Sequence, residues 1–190
     1  MILTATEVTE YSNISCTAGT ITSKKLIDTV QARLTMMLNN YFLTDLEVTD
    51  TMTFNATART IVSDSTEFDD YNFLAGDDIY VYGSYRNDGY YTIGSVTTTT
   101  LTLASGASVV DELSSATIMV SVVRWPQDVK QAAALMCAYD YDTRTDVSAN
   151  VKSRSLGPWS ESYTDGEKDE YGYPKKLTAP IDYYRIARAY

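Results

Sequence analysis

Apolar residues recur at helical spacing in two stretches of this chain and alternate at strand spacing in the stretch between them. From Lys24 to about Phe42, Leu26, Ile27, Val30, Leu34, Met37, Leu38 and Tyr41 fall on one stripe, the pattern of a core-facing helix. Ser23 stands where a cap belongs, and Asn39-Asn40 weakens the far end. A shorter helix is expected over residues 4–11. The second helical stretch opens at Trp125-Pro126, where proline suits the first turn, and runs to about Asp142. Val129, Ala132, Ala133, Met136 and Cys137 share one of its faces, and the alanines allow close helix packing.

Between the two, the chain turns to Thr, Val, Ile and Tyr, which favour a pleated, half-buried surface. Ile79 to Tyr82, Tyr90 to Val96, Leu101 to Leu103 and Ile118 to Val122 read as strands, with earlier ones near Val48 to Phe54 and Ala58 to Val62. Turn signals separate them at Asn87-Asp88-Gly89 and Ser105-Gly106. Ile118, Val120 and Val122 alternate with Met119, Ser121 and Val123, as in a strand covered partly on both sides. Six strands are enough to close a small barrel or sandwich. The expected fold class is therefore α+β: an α-helical bundle interrupted by a small antiparallel β-barrel or sandwich insertion. Its parts are residues 1–44 (bundle, first part), 45–123 (insertion), 124–164 (bundle, second part) and 165–190 (carboxy-terminal tail and helix).

Charge sharpens the division. Residues 45–123 hold twelve acids against Arg59 and Arg86, while the rest of the chain carries thirteen of each sign, so the formal charge of −10 belongs to the middle segment. Such a segment is a poor binder of nucleic acid, whose phosphates need clustered Lys and Arg. Within it, Glu67, Asp69, Asp70, Asp77 and Asp78 have no calcium-loop spacing and read as a solvated acidic loop. Cys16 and Cys137, without CxxC and without any histidine, predict two reduced thiols and neither a zinc site nor a disulfide framework. The missing histidine also removes the commonest general base, and there is no P-loop or GxGxxG. No enzyme, no cofactor and no metal is expected. The longest apolar run, Ala132 to Ala138, is too short to span a bilayer, so a soluble protein made in a cytoplasm is expected, with no membrane partner.

The tail is rich in tyrosine, which combines apolar area with a polar tip and suits subunit interfaces. Pro174 breaks the chain, and a last helix is expected from Pro180, with Tyr183, Ile186, Ala187 and Tyr190 on one side and Asp182, Arg185 and Arg188 on another. Lys175-Lys176 and Arg185/Arg188 add positive charge that fits an acidic partner surface. The expected interface residues are Trp159, Tyr163, Tyr171, Tyr173, Lys175, Lys176, Tyr183, Tyr184, Arg185, Arg188 and Tyr190.

The amino-terminal helix pair, the Trp125-Pro126 helix, the stretch VKSRSLGPWSESY from Val151 to Tyr163 and the later YGYPKKL together resemble the head-tail connector (adaptor) proteins of tailed bacteriophages. In that family a helical bundle is commonly followed by a segment like VKSESLGDYSVSY, matched here at Lys152, Ser153, Ser155, Leu156, Gly157, Ser160 and Tyr163. Arg154 replaces an acid, and Pro158-Trp159 replaces an acid-aromatic pair. The resemblance covers roughly residues 1–44 and 124–190 and leaves the acidic insertion outside it. It implies a virion structural protein at the neck, in a ring commonly of twelve copies beneath the portal. It further implies a docking carboxy-terminal tail, a downstream neck, collar or tail protein as partner, and DNA only as passing cargo in the channel. Two other readings remain: another neck component such as a head-closure or tail-terminator protein, and a free-standing binding module. In the latter, some of Tyr80, Tyr82, Tyr85, Tyr90 and Tyr91 would face outward toward a glycan or protein.

Overall fold

The computed structural model describes residues 1–12, 25–113, 117–145, 153–156, 159–162 and 168–187, with 143–145, 153–156 and 159–162 described through their backbone alone. The chain divides into two compact units, Met1 with Tyr41–Arg124 and Ile2–Asn40 with Trp125–Tyr190.

The first unit is built from six antiparallel strands: β1 (Leu43–Asn55), β2 (Thr60–Ser63), β3 (Asp78–Tyr82), β4 (Gly89–Val96), β5 (Thr100–Leu103) and β6 (Thr117–Val123). Their order is β1-β2-β5-β4-β3-β6, with β6 pairing back to β1. Two long strands make this return possible. The first part of β1 pairs with β6 and its last residues, Met52 to Asn55, pair with β2; β4 likewise passes from β3 to β5. The β4 register shifts between Ile93 and Ser95, where a Cβ on Gly94 would lie 3.3 Å from the Leu103 and Thr102 carbonyl oxygens. A residue without a side chain lets the strand bend there. Gly83, at φ 94°, ends β3 with room for no Cβ, since one would lie 2.9 Å from the Thr117 carbonyl oxygen.

Alternation supplies the core. Val48, Met52 and Phe54 of β1 point inward with Ile79 and Val81 of β3 and Ile118, Val120 and Val122 of β6. Phe68 and Phe73, from the loop after β2, add an edge-to-face pair with ring centres 5.6 Å apart. Burying such aromatic rings contributes strongly to a small unit's stability.

Asp50 organises the loop after β2. Its carboxylate accepts hydrogen bonds from the Ser63 hydroxyl, from the Ser65 N–H at 2.9 Å and from the Thr66 N–H at 3.0 Å. Desolvation alone would raise its pKa, but these donors outweigh it and hold the carboxyl well below the usual aspartate value of 3.8. A depressed folded-state pKa gives stability that is present above the unfolded value and lost as pH falls below it. Asp50→Asn is therefore expected to destabilise the β unit at pH 7 and to converge with the parent chain as pH drops below about 4. Urea midpoints followed by far-ultraviolet circular dichroism across that range will test this.

The second unit contains α1 (Ala5–Ser12), α2 (Leu26–Leu38), α3 (Gln127–Thr145), an antiparallel pair of β7 (Ser153–Leu156) and β8 (Trp159–Ser162), α4 (Lys175–Thr178) and a 3-10 turn over Ala179–Tyr184. Both α1 and α2 pack on α3. A reciprocal capping box starts α1: the Thr4 N–H donates to Glu7 Oε2 at 2.7 Å and the Glu7 N–H to Thr4 Oγ1 at 3.2 Å. Lys130 Nζ, 3.2 Å from Glu7 Oε1, ties α3 to the same turn. The α2 stripe is buried as its spacing predicts, through Leu26, Ile27, Val30, Leu34, Met37 and Leu38. The helix stops at Leu38 because Asn39 takes the left-handed conformation at φ 48°, so Tyr41 lies outside it and is exposed. Val129, Ala132, Ala133, Met136 and Cys137 are buried on α3; Ser23 and Cys16 lie outside the described residues. No described helix is long and apolar enough to cross a membrane.

The expected fold class is overturned. The protein is mainly a six-stranded antiparallel sheet accompanied by four short helices, and not a helical bundle that carries an insertion. Helical residues are fewer than expected for two reasons. The described parts of residues 146–167 are the β7 and β8 strands, and the helix expected from Pro180 is a 3-10 turn that ends at Tyr184.

Candidate functional site

The carboxy-terminal segment, residues 168–187, begins with a tight turn. Asp169 Oδ1 accepts the N–H groups of Tyr171 and Tyr173, each at 2.9 Å, and Gly172 at φ 87° completes the reversal. The turn drives Tyr173 into the interior, where it is 1% exposed. Its hydroxyl donates to Asp140 Oδ2 on α3 at 3.0 Å and accepts from Arg33 Nη1 on α2, while Arg33 reaches the same Asp140 oxygen at 3.0 Å. Burial first, and the Asp140 carboxylate after it, push the Tyr173 hydroxyl's pKa far upward, so it remains a donor throughout the working pH range. This triad clamps the segment to both long helices.

A second clamp forms beyond Pro180. The hydroxyls of Tyr183 and Tyr184 converge on Asp128, in the first turn of α3, and the two rings lie 4.1 Å apart. Partial burial would raise the Asp128 pKa, but the two hydroxyls and the Val129 N–H outweigh it and hold the carboxyl low. Backbone groups of Tyr184 and Ile186 are taken up at the end of α2: the Asn40 side chain donates to the Tyr184 carbonyl at 3.0 Å, and the Ile186 N–H donates to the Leu38 carbonyl at 2.9 Å. These bonds stop helical continuation past Tyr184.

What stays outside the clamps is a charged and apolar surface. Lys175, Lys176 and Arg185 are exposed, with Tyr183 at 69% and Ile186 at 52%. Arg185 pairs with Asp182 at 2.8 Å. A cleft of about 260 Å³ between Met37, Tyr171, Lys175, Thr178 and Asp182 continues into a second one against Met36, which is 60% exposed. Of the residues expected at an interface, Lys175, Lys176, Tyr183 and Arg185 are exposed, and Tyr171 and Tyr184 are half-buried. Tyr173 does not belong to that surface. The side chains of Trp159, Tyr163, Arg188 and Tyr190 lie outside those described. Met36, Met37 and Ile186 were not anticipated as part of it, although Met36 breaks the α2 stripe and so signalled an outward apolar position.

In the β unit, the acids grouped by sequence separate. Glu67, Asp69 and Asp70 are exposed, with carboxylate oxygens within 4.8 Å of one another. Asp77 instead pairs with Arg124 at 2.8 Å, and Asp78 accepts from the Thr92 hydroxyl at 2.6 Å. Of the five tyrosines considered for a binding platform, Tyr82 and Tyr85 are exposed at 59% and 76%, and Tyr80, Tyr90 and Tyr91 are half-buried. Neither a protein-family model nor a curated protein sequence matches this chain.

Proposed function

We propose that this protein is a head-tail adaptor of a tailed-bacteriophage virion: a non-enzymatic ring subunit that seats beneath the portal, extends the DNA channel and receives a further neck or tail protein. The resemblance of Val151 to Tyr163 to the connector segment motivates the reading. The observation that carries it is the carboxy-terminal surface. Residues 168–187 are fixed to α2 and α3 at two points, yet they leave Lys175, Lys176, Tyr183, Arg185 and Ile186 exposed, with a cleft lined by charged and apolar groups among them. Fixed backbone with an exposed Tyr183 ring and exposed lysine tips lowers the entropy lost on docking, and the lysine charge suits an acidic partner. A ring also needs two unlike surfaces that meet head to tail.

The test mixes the purified protein with assemblies of the portal encoded in the same genome and images them by electron microscopy. A coaxial ring added to the portal is expected. Lys175→Glu with Lys176→Glu, at exposed positions, is expected to weaken that association at least about tenfold while the circular dichroism spectrum stays unchanged. Bare portals beside a folded protein would overturn the reading.

A further inference from the structure

The loop joining β3 to β4 is far more ordered than a simple connection requires. Asn87 is 1% exposed, and every polar group of its side chain is used. Its amide nitrogen donates to the Val110 carbonyl at 3.0 Å and to Glu112 Oε2 at 2.9 Å, and its amide oxygen accepts the Val110 N–H at 2.7 Å. The Tyr85 N–H donates to Glu112 Oε1 at 2.9 Å, and Asp88 accepts both the N–H and the hydroxyl of Ser84. Glu112 is itself held by a backbone bridge to Phe54 in β1. Residues 83–88 and 110–112 are therefore bolted to each other and to the sheet.

This scaffold presents large apolar groups to solvent. Tyr85 is 76% exposed, Leu113 83%, Tyr82 59% and Val110 42%. Exposed Asp88 and Asp111 flank them, and Glu112 lies between; Arg86 is the one base within residues 83–88. Nothing inside the β unit requires these apolar side chains to face water. Exposed apolar groups beside exposed carboxylates, on preorganised backbone, are the ingredients of a protein-binding surface.

We infer that Tyr82, Tyr85, Val110 and Leu113 form a docking surface for a different protein whose contacting face is basic around an apolar centre. Charge complementarity selects this occupant. The segment 45–123 carries the chain's whole net charge of −10, so a second copy's β unit is repelled, as is nucleic acid, whereas Lys and Arg are attracted. The inference stands independently of ring formation or portal binding.

The experiment pans a displayed library of random peptides against the full-length chain and measures the enriched peptides by fluorescence anisotropy. Enrichment is expected for peptides with Lys or Arg around a Leu or aromatic residue, with binding that weakens as salt rises. The double variant Tyr85→Ala, Leu113→Ser, exposed and so compatible with folding, is expected to bind at least about tenfold more weakly at an unchanged circular dichroism spectrum. Tyr71→Ala with Leu74→Ser, exposed on the loop after β2, is expected to bind as the parent does. Failure to enrich any peptide, enriched peptides without basic residues, or equal binding by the Tyr85/Leu113 variant would overturn the inference. So would a glycan array on which neutral sugars bind and the same variant loses them.

Discussion

Tyr173→Ala is expected to lower the stability of the helical unit by about 3–5 kcal/mol, the usual loss when a buried aromatic ring is removed. The ring lies against Tyr139, with centres 5.9 Å apart, and beneath Arg33, whose guanidinium carbon is 5.5 Å from its centre. Its removal leaves both a void and a weakened clamp. Tyr173→Phe separates the two contributions. It keeps the ring but deletes the hydroxyl between Arg33 and Asp140, and it is expected to cost about 1–3 kcal/mol, because the ion pair at 3.0 Å survives while Asp140 loses a donor. Both tryptophans, Trp125 and Trp159, belong to the helical unit. Urea unfolding followed by tryptophan fluorescence therefore reports on this unit directly. An unchanged fluorescence midpoint in Tyr173→Ala would show that the segment is not clamped as described.

The complementary result is expected in the β unit. Phe54 is 2% exposed near the end of β1, where its backbone also bridges to Glu112, and Phe54→Ala is expected to cost about 3–5 kcal/mol. This unit contains no tryptophan, so the loss will be seen as faster amide hydrogen exchange across β1, β2 and β5 and as an earlier β-sheet transition in circular dichroism. Protection of those strands at parent levels would contradict the packing described. A fluorescence midpoint that moved as far as in Tyr173→Ala would mean that the two units unfold as one.

The strands were legible because each carries its own signal. Alternating β-branched and aromatic residues with Asn-Asp-Gly and Ser-Gly turns located β3, β4, β5 and β6 nearly to the residue, and the second face of β6 is at least partly covered as expected, with Ser121 and Val123 buried and Met119 half-buried. The α2 and α3 stripes were equally plain. The tail was misread because its conformation is set by distant residues. Pro180 and the spacing of Tyr183 and Ile186 look helical locally, yet Asp128, Asn40 and Leu38 capture the hydroxyls and backbone groups that a continuing helix would place elsewhere. Tyr173 looked like a surface residue because the two groups that bury it, Arg33 and Asp140, are remote in sequence. The balance between sheet and helix was misjudged for a related reason: Ser153–Leu156 and Trp159–Ser162 have no strong periodicity, and cross-strand register alone makes them paired strands. The capping box at Thr4 and Glu7 was readable in TATE and marks where α1 begins.

The β unit begins and ends on strands that are neighbours. Leu43 of β1 lies opposite Val123 of β6, and the Arg124 N–H donates to the Phe42 carbonyl at 3.0 Å. Once this unit has folded, α2 and α3 are joined in effect by a few residues, although the chain between them runs from Tyr41 to Arg124. Loop-closure entropy grows with the logarithm of length, so the shortening is worth about 2 kcal/mol toward bringing the two helices together. The segment thus acts on α2 and α3 as a cross-link would, and the helices are assembled most readily by a chain whose middle folds first.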